Sequence, residues 1–572
     1  MIRESAGPAP APEPALRHGR SSLPAKLALA FCAWAASILI VFRDSFASGF
    51  DLGFGNRGDA LIEISILEHW RAVFTGLAAW NQPIYFHPYG DTLGYNDGYF
   101  LSGLIYAFWR ICFDPFVSDT LTAMTFRTIG FAAALWLVRG VLRWSWGTAI
   151  LVAALFTISN NMFLQAGHAQ INSLALLPLL AGLAVLAVRA EISGRPVALL
   201  FAALVALVMG LWLITAFYFA WFTIYFTVVF VLCWLWVSGN YRPRRLGALL
   251  AAHWRTLATF LAVAAVSAIP FLLVYLPKRL ETGGHGYMVS YLVQPVDLVN
   301  VGERNGLWGW IATGIRLIVQ AVATPGGKFE KSFLGWEHHS GYPLLLFALT
   351  CAAAYRLIRD PKRVVERAVA LAVVVSWALT LRIWQISPWI LVHALFPAAS
   401  GVRVVLRYQL FLVLPVLLLV GLAYRDRLRD FRQRHPWLAV LLVVLLVGEQ
   451  ISFAQPAELS RRAQRAELDA IPAPPAGCSA FYVVTVRSGE AAFVDDRVDA
   501  LYPHNVDAMF LAEKWRVPTV NGYSTFNPPD WDFAAPYASD YDARVRSYAG
   551  KHGVRELCRL DTRSPQAWTR MD

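Results

Sequence analysis

The sequence predicts an all-α polytopic membrane protein with a small α/β domain outside the membrane at its C-terminal end. Three observations carry this. Only 15% of the 572 residues are charged and 57% are apolar, where a soluble protein carries about 25% charged residues; a water-soluble globular enzyme is excluded. About eleven stretches are long and apolar enough to cross a bilayer. The 22 Trp, 35 Phe and 21 Tyr suit the two membrane–water interfaces. The formal net charge of +12 matters less than where the basic residues sit.

A spanning helix needs roughly 20 predominantly apolar residues. Candidates lie near 26–43, 120–138, 147–164, 172–188, 197–214, 216–237, 256–276, 341–357, 364–381, 405–424 and 436–454. No polar break separates the two halves of 197–237 around Thr215. Arg-rich connections at 139–143, 189–195, 242–255, 356–367 and 425–434, with Arg17, Arg20 and Lys26 in the N-terminal tail, all fall on one face if the N-terminus is cytoplasmic and eleven helices cross. Segments 44–119, 163–171, 277–340, 382–404 and the C-terminal tail then lie outside. The expected organisation is a disordered, Pro/Ala-rich cytoplasmic tail over 1–25, a membrane domain over 26–454 and an extracytoplasmic α/β domain over 455–572. No A-x-A site follows the first span, which reads as an uncleaved anchor. Residues 97–116 are apolar, but a span there would invert every later loop. They are expected to lie along the outer interface or to re-enter.

The outer loops carry the polar chemistry. Asp59 opens a stretch with Ile62, Ile66, Leu67, Trp70, Val73 and Phe74 near helical spacing, so 60–75 is expected as an amphipathic helix in the outer headgroup layer. Asp59 would serve as its N-cap, and equally as a carboxylate held where a lipid-linked substrate presents its head group. Glu63 shares its face. The turn-rich run from Pro83 through His87, Asp91 and Asp97 is interleaved with Trp80, Tyr85, Phe86, Tyr89 and Tyr95, as sugar-binding walls and interfacial belts both are.

Three further clusters follow. His168, Gln170 and Asn172 crowd one polar tip between spans, where a plain turn is the ordinary reading and a ligand site the sharper one. The loop 277–340 holds Lys278, Arg279, His285, Arg304, Lys328, Lys331 and the string Gly335-Trp336-Glu337-His338-His339. Adjacent His338 and His339 without HxxxH spacing do not suggest zinc. Arg403 and Arg407 stand four apart at the outer start of a span, which puts them on one helical face. They suit lipid head groups or, bidentately, a phosphate.

In the tail, 480–484 and 492–494 are short β-prone runs. The stretches from Tyr502 to Met509 and from Val520 to Pro529 read as loops that cover the outer site or turn the chain. Cys32, Cys112, Cys233 and Cys351 lie in apolar or interfacial segments and read as packing residues. Cys478 and Cys558 both fall in the tail, where an oxidising compartment would let them pair.

The order of Gly58-Asp59 after the first span, Asn81-x-Pro83, Pro88-Tyr89-Gly90, Gly167-His168, Gly335-Trp336-Glu337, Gly401-x-Arg403 with Arg407, and Val520-Asn521-Gly522-Tyr523-Ser524 resembles the GT-C superfamily of integral-membrane glycosyltransferases. The resemblance covers most of the chain. It implies a bacterial inner-membrane enzyme acting on the cell envelope, with a polyprenyl-phosphate-linked sugar as donor. The acceptor would be a glycan, lipid or protein, membrane lipids are further partners, and no nucleic acid is expected. The acid after the first helix, the family's catalytic base, maps onto Asp59. Glu63, Asp97, His168, Gln170, Glu337, His338, Arg403 and Arg407 are the candidate substrate-binding residues. Some members carry Asp-x-Asp here and bind a divalent cation (Mg or Mn). This chain has Gly58-Asp59-Ala60-Leu61 instead, so no metal ligand is assigned. Two other readings compete: a transporter or flippase of a lipid-linked glycan, which would favour inverted repeats and ionisable residues near the midplane, and a non-catalytic assembly factor on the same scaffold.

Overall fold

The computed structural model describes residues 22–323, 334–484, 496–536, 538–564 and 566–571. Residues 1–21, Lys328, Lys331 and 492–494, named above, lie outside them. Among the described residues six helices are long and apolar enough to cross a membrane: Leu23–Val41, Pro115–Val141, Trp146–Leu164, Ala169–Ile192, Val197–Thr215 and Phe217–Ser238. Two pairs of helices bent at a break, Pro243–Ala252 with Trp254–Ser267 and Val405–Phe411 with Val413–Leu428, make eight if each pair is one span. The chain is a multi-pass membrane protein.

The expected eleven spans are not all full-length helices. Segments near 341–357, 364–381 and 436–454 fold as Leu344–Ile358, Val364–Ala378 and Pro436–Gly448, of 15, 15 and 13 residues. At 1.5 Å per residue these reach about 20–23 Å, short of a ~30 Å hydrocarbon core. The first begins where Glu449 accepts the backbone N–H groups of Leu345 and Leu346 at 3.0 Å each. A carboxylate thus meets the helix start inside the protein. The break within 197–237 falls at Ala216, whose backbone is extended, and it is stabilised from afar. The Asp97 carboxylate accepts the Phe217 N–H at 3.0 Å. Residues 97–116 supply a ten-residue helix, Phe100–Trp109, about 15 Å long and unable to span.

Arg127 sits within a spanning helix and is buried. Its guanidinium donates to the carbonyls of Thr157, the last residue of the helix Trp146–Thr157, at 3.4 Å, and of Met162, in the short helix Asn160–Leu164, at 3.2 Å. Carbonyl oxygens at a helix C-terminus attract a cation, which gives this charge a structural role.

The expected interfacial helix forms as Arg57–Phe74, but Asn56 caps it, its Oδ1 accepting the Asp59 N–H at 3.2 Å. Asp59 therefore stands in the first turn. Nor does the helix lie open on a lipid surface. It is buried on nearly every side, by Phe100–Trp109 and by the tail helix Asp496–Trp515. Leu61, Ile64, Leu67 and Trp70 share one hydrophobic core with Phe481, Met509 and Leu511, so loop 44–119 and the tail form one unit. That tail carries a three-stranded sheet in the order Ala480–Val483, Leu557–Leu560, Trp568–Met571, the first pair parallel and the second antiparallel. Cys478 and Cys558 form a disulfide. The stretch 502–509, expected as a loop, lies inside the helix Asp496–Trp515. It holds there because the Asn505 side chain bonds to Phe533 O at 3.1 Å and to Asn521 at 2.6 Å.

Candidate functional site

Two glycines bring the site together. Gly55, at φ +81°, and Gly167 touch backbone to backbone, and a Cβ on Gly167 would stand 3.0 Å from the Gly55 Cα. This contact seats the first turn of Arg57–Phe74 against the tip that carries His168. Nδ1 of His168 lies 3.4 Å from Asp59 Oδ2, and the Asp59 side chain is 37% exposed. On the far side of the imidazole, Nε2 lies 3.1 Å from Glu337 Oε1 and 2.8 Å from Arg407 Nη2. Arg407 donates in turn to Glu337, Nη2 to Oε1 at 2.7 Å and Nε to Oε2 at 3.4 Å. Four residues spread over almost 350 positions thus form one chain of polar contacts from a partly exposed carboxylate to a buried ion pair.

The electrostatics follow from these distances. Burial alone would raise the Glu337 carboxyl, but the Arg407 guanidinium and then His168 hold it well below the usual carboxylate range. Burial and the Arg407 charge press His168 downward. Glu337 and Asp59 outweigh them, and its pKa stands above the ordinary value. With neutral His168 protonated at Nδ1, Nε2 accepts from Arg407; with the imidazolium, Nε2–H donates to Glu337. Either form points Nδ1–H at Asp59, an assignment made from the hydrogen-bond network.

The other candidates surround this chain unevenly. Glu63, one turn beyond Asp59, is buried. Burial first, then the carboxylates of Asp119 and Asp59, push its pKa well up, which favours the neutral acid. Gln170 accepts from the Tyr99 hydroxyl at 3.3 Å. Asp97 is pushed up to about 6 by burial, against the pull of its bond to Phe217 and of the Arg407 charge; it caps a helix near the site and touches none of the four. The expectation that Arg403 and Arg407 share a helical face fails. Val402 and Val404 separate two short 3-10 turns, Ala399–Gly401 and Val405–Arg407. The two side chains diverge, Arg407 to Glu337 and Arg403 to 5.9 Å above the Tyr291 ring. Nε of Arg403 is buried without a partner. His338 does not join the group. Its Nδ1 bonds to Asp297 Oδ2 at 2.9 Å, and both residues are buried.

The structure adds Trp336 and Tyr218 to the reading. The Trp336 ring rests on His168 with centroids 4.6 Å apart and a 31° tilt. Tyr218 lies under the Arg407 guanidinium at 5.6 Å, and its hydroxyl accepts the Arg403 N–H at 2.8 Å. Trp336 was visible in the sequence only as the neighbour of Glu337; nothing local marked Tyr218. Among the described residues no group of three or more His, Cys, Asp or Glu side chains is arranged to hold a metal ion.

No family model matches the sequence, and no curated protein sequence matches it. Solved structures similar to it include two membrane proteins. One is arabinofuranosyltransferase AftD from Mycobacteria, 15% identical over 80% of this chain, with a TM-score of 0.43. The other is ArnT from Cupriavidus metallidurans bound to undecaprenyl phosphate, 14% identical over 87% of this chain, with a TM-score of 0.39. The chain spans about 29% of the length of the first and 85% of the second. Neither likeness assigns a role to any residue here.

Proposed function

We propose that the chain is a membrane glycosyltransferase. It moves a sugar from a polyprenyl-phosphate donor to a cell-envelope glycan, lipid or protein acceptor on the outer face of the bacterial inner membrane. The observation that carries this is the polar chain just described: a partly open carboxylate on one nitrogen of an imidazole, a buried arginine–glutamate pair on the other.

Asp59 is the base. It takes the proton of an acceptor hydroxyl as that oxygen bonds to the anomeric carbon. The bond from that carbon to the phosphate oxygen breaks, its electron pair stays on the departing lipid phosphate, and configuration inverts. General-base assistance of this kind contributes typically ~10²–10⁴-fold. Nδ1–H of His168 orients the carboxylate. Glu337 and Arg407 hold His168 and set its charge. Because Glu337 already neutralises much of Arg407, the phosphate's first partner is Arg403, whose guanidinium supplies a charge-assisted bond. Glu63, Asp97 and Gln170 line the approach. His338, tied to Asp297, shapes the loop from behind. The disulfide between Cys478 and Cys558 supports an oxidising compartment for the tail, hence a periplasmic tail domain; the Arg-rich connections support a cytoplasmic N-terminus.

The test is turnover. The full chain in lipid nanodiscs, given undecaprenyl-phosphoryl sugars and an envelope extract as acceptor, releases undecaprenyl phosphate, and Asp59→Asn does not. Anomeric analysis of the product shows inversion. Equal release by the variant, or a retained configuration, defeats the assignment.

A further inference from the structure

We propose that the indole of Trp336 is the platform on which the donor's sugar ring stacks. The inference deepens the transfer reaction above and rests on it. Trp336 begins the short turn Trp336–His338, which is held at both ends. Gln165 Nε2 donates to the Trp336 carbonyl at 2.8 Å, and His338 is fixed by Asp297 at 2.9 Å. The ring it carries is therefore placed by backbone and not by a mobile loop.

His338 in the same turn is buried, yet Trp336 is 45% exposed. Other tryptophans, such as Trp310 and Trp437, are more exposed still; what sets Trp336 apart is its neighbour. A ring serving only to pack would be covered. A ring serving only as an interfacial anchor would have no reason to lie against the imidazole that orients Asp59. This one does lie there, 4.6 Å from the His168 ring centroid, and that imidazole is 3.4 Å from Asp59.

The chemistry selects the donor and not the acceptor. In a sugar phosphate the ring is one bridging oxygen from phosphorus, so a phosphate held by Arg403 beside Arg407 places its sugar next to these cations. Trp336 adjoins Glu337, the partner of Arg407, in the chain. A sugar's C–H face stacks on an aromatic ring as other apolar surface does. The positive charge that grows at the anomeric carbon as its bond to phosphate breaks is attracted to the ring face.

The experiment measures binding of two probes, undecaprenyl phosphate and undecaprenyl-phosphoryl-glucose, to the full chain in nanodiscs. Wild type binds the sugar-bearing lipid more tightly. Trp336→Leu weakens that binding about five-fold and leaves undecaprenyl phosphate unchanged, while Trp336→Phe stays within about two-fold of wild type. If Trp336→Leu weakens both lipids alike, or neither, the platform is overturned and the lipid-donor reading stands. The same holds if wild type binds the two lipids equally. If wild type binds neither, the donor reading falls and takes the platform with it.

Discussion

Replacing Glu337 with Gln removes one charge and almost nothing else. The native carboxylate accepts from Arg407 at 2.7 and 3.4 Å and faces His168 at 3.1 Å, and the side chains of Arg407 and Glu337 are only 6% and 13% exposed. Breaking a buried pair by removing one partner costs about 3–5 kcal/mol, because the remaining charge is stranded. The Gln amide oxygen still accepts one bond, worth about 1 kcal/mol, so the expected loss is roughly 2–4 kcal/mol. Equilibrium unfolding in mixed micelles measures it. Arg407→Met added to Glu337→Gln should recover part of the loss, with a coupling above about 1 kcal/mol. The titration of His168, followed by NMR in labelled protein, moves as well. Its pKa stands above the ordinary ~6.5 in wild type and falls in Glu337→Gln, because a carboxylate that holds it up is gone. By linkage, the contribution of His168 to stability is complete below about pH 6.5 and lost as pH rises through its folded value. Glu337 acts in the opposite sense: its contribution is present above about pH 4.3 and lost as pH falls through its depressed value. A Glu337→Gln protein within about 0.5 kcal/mol of wild type, or a His168 pKa that rises in it, would refute this reasoning.

Three further outcomes are expected. Gly167→Ala forces the two loops apart, since its Cβ would meet the Gly55 Cα at 3.0 Å; turnover drops about ten-fold, as misplacement at a site commonly costs, while Gly147→Ala, with nothing within 4 Å, is neutral. Asn56→Ala removes the helix cap and lowers stability by about 1 kcal/mol, read by the same unfolding assay. Cys558→Ser opens a cross-link between residues 80 apart, worth about 4–5 kcal/mol in the chain-entropy model, and the tail becomes protease-sensitive at lower temperature.

Much of this was legible in the sequence, because some signals are local. Long apolar runs mark spans wherever they occur, and the six full-length helices fall on them. The shortness of the helices near 341–357 and 436–454 was not legible. It depends on Glu449 reaching the start of a helix about a hundred residues earlier in the chain. The break at Ala216 depends likewise on Asp97. At the site, Asp59, His168, Glu337 and Arg407 stood out one by one as polar residues in outer loops, yet nothing in their spacing said that they meet; the Gly55–Gly167 contact does that. Helical spacing misled at Arg403 and Arg407 because the backbone there makes 3-10 turns. It misled at His338 because adjacency to Glu337 says nothing about direction. The helix Arg57–Phe74 read as interfacial because the tail that covers it lies about 400 residues away.

The most direct test of the account is the envelope glycan itself. Deleting the gene should shift one surface glycan by the mass of a single sugar. Wild type should restore it, and Asp59→Asn, present in the membrane at the same level, should not. Restoration by Asp59→Asn would contradict the account.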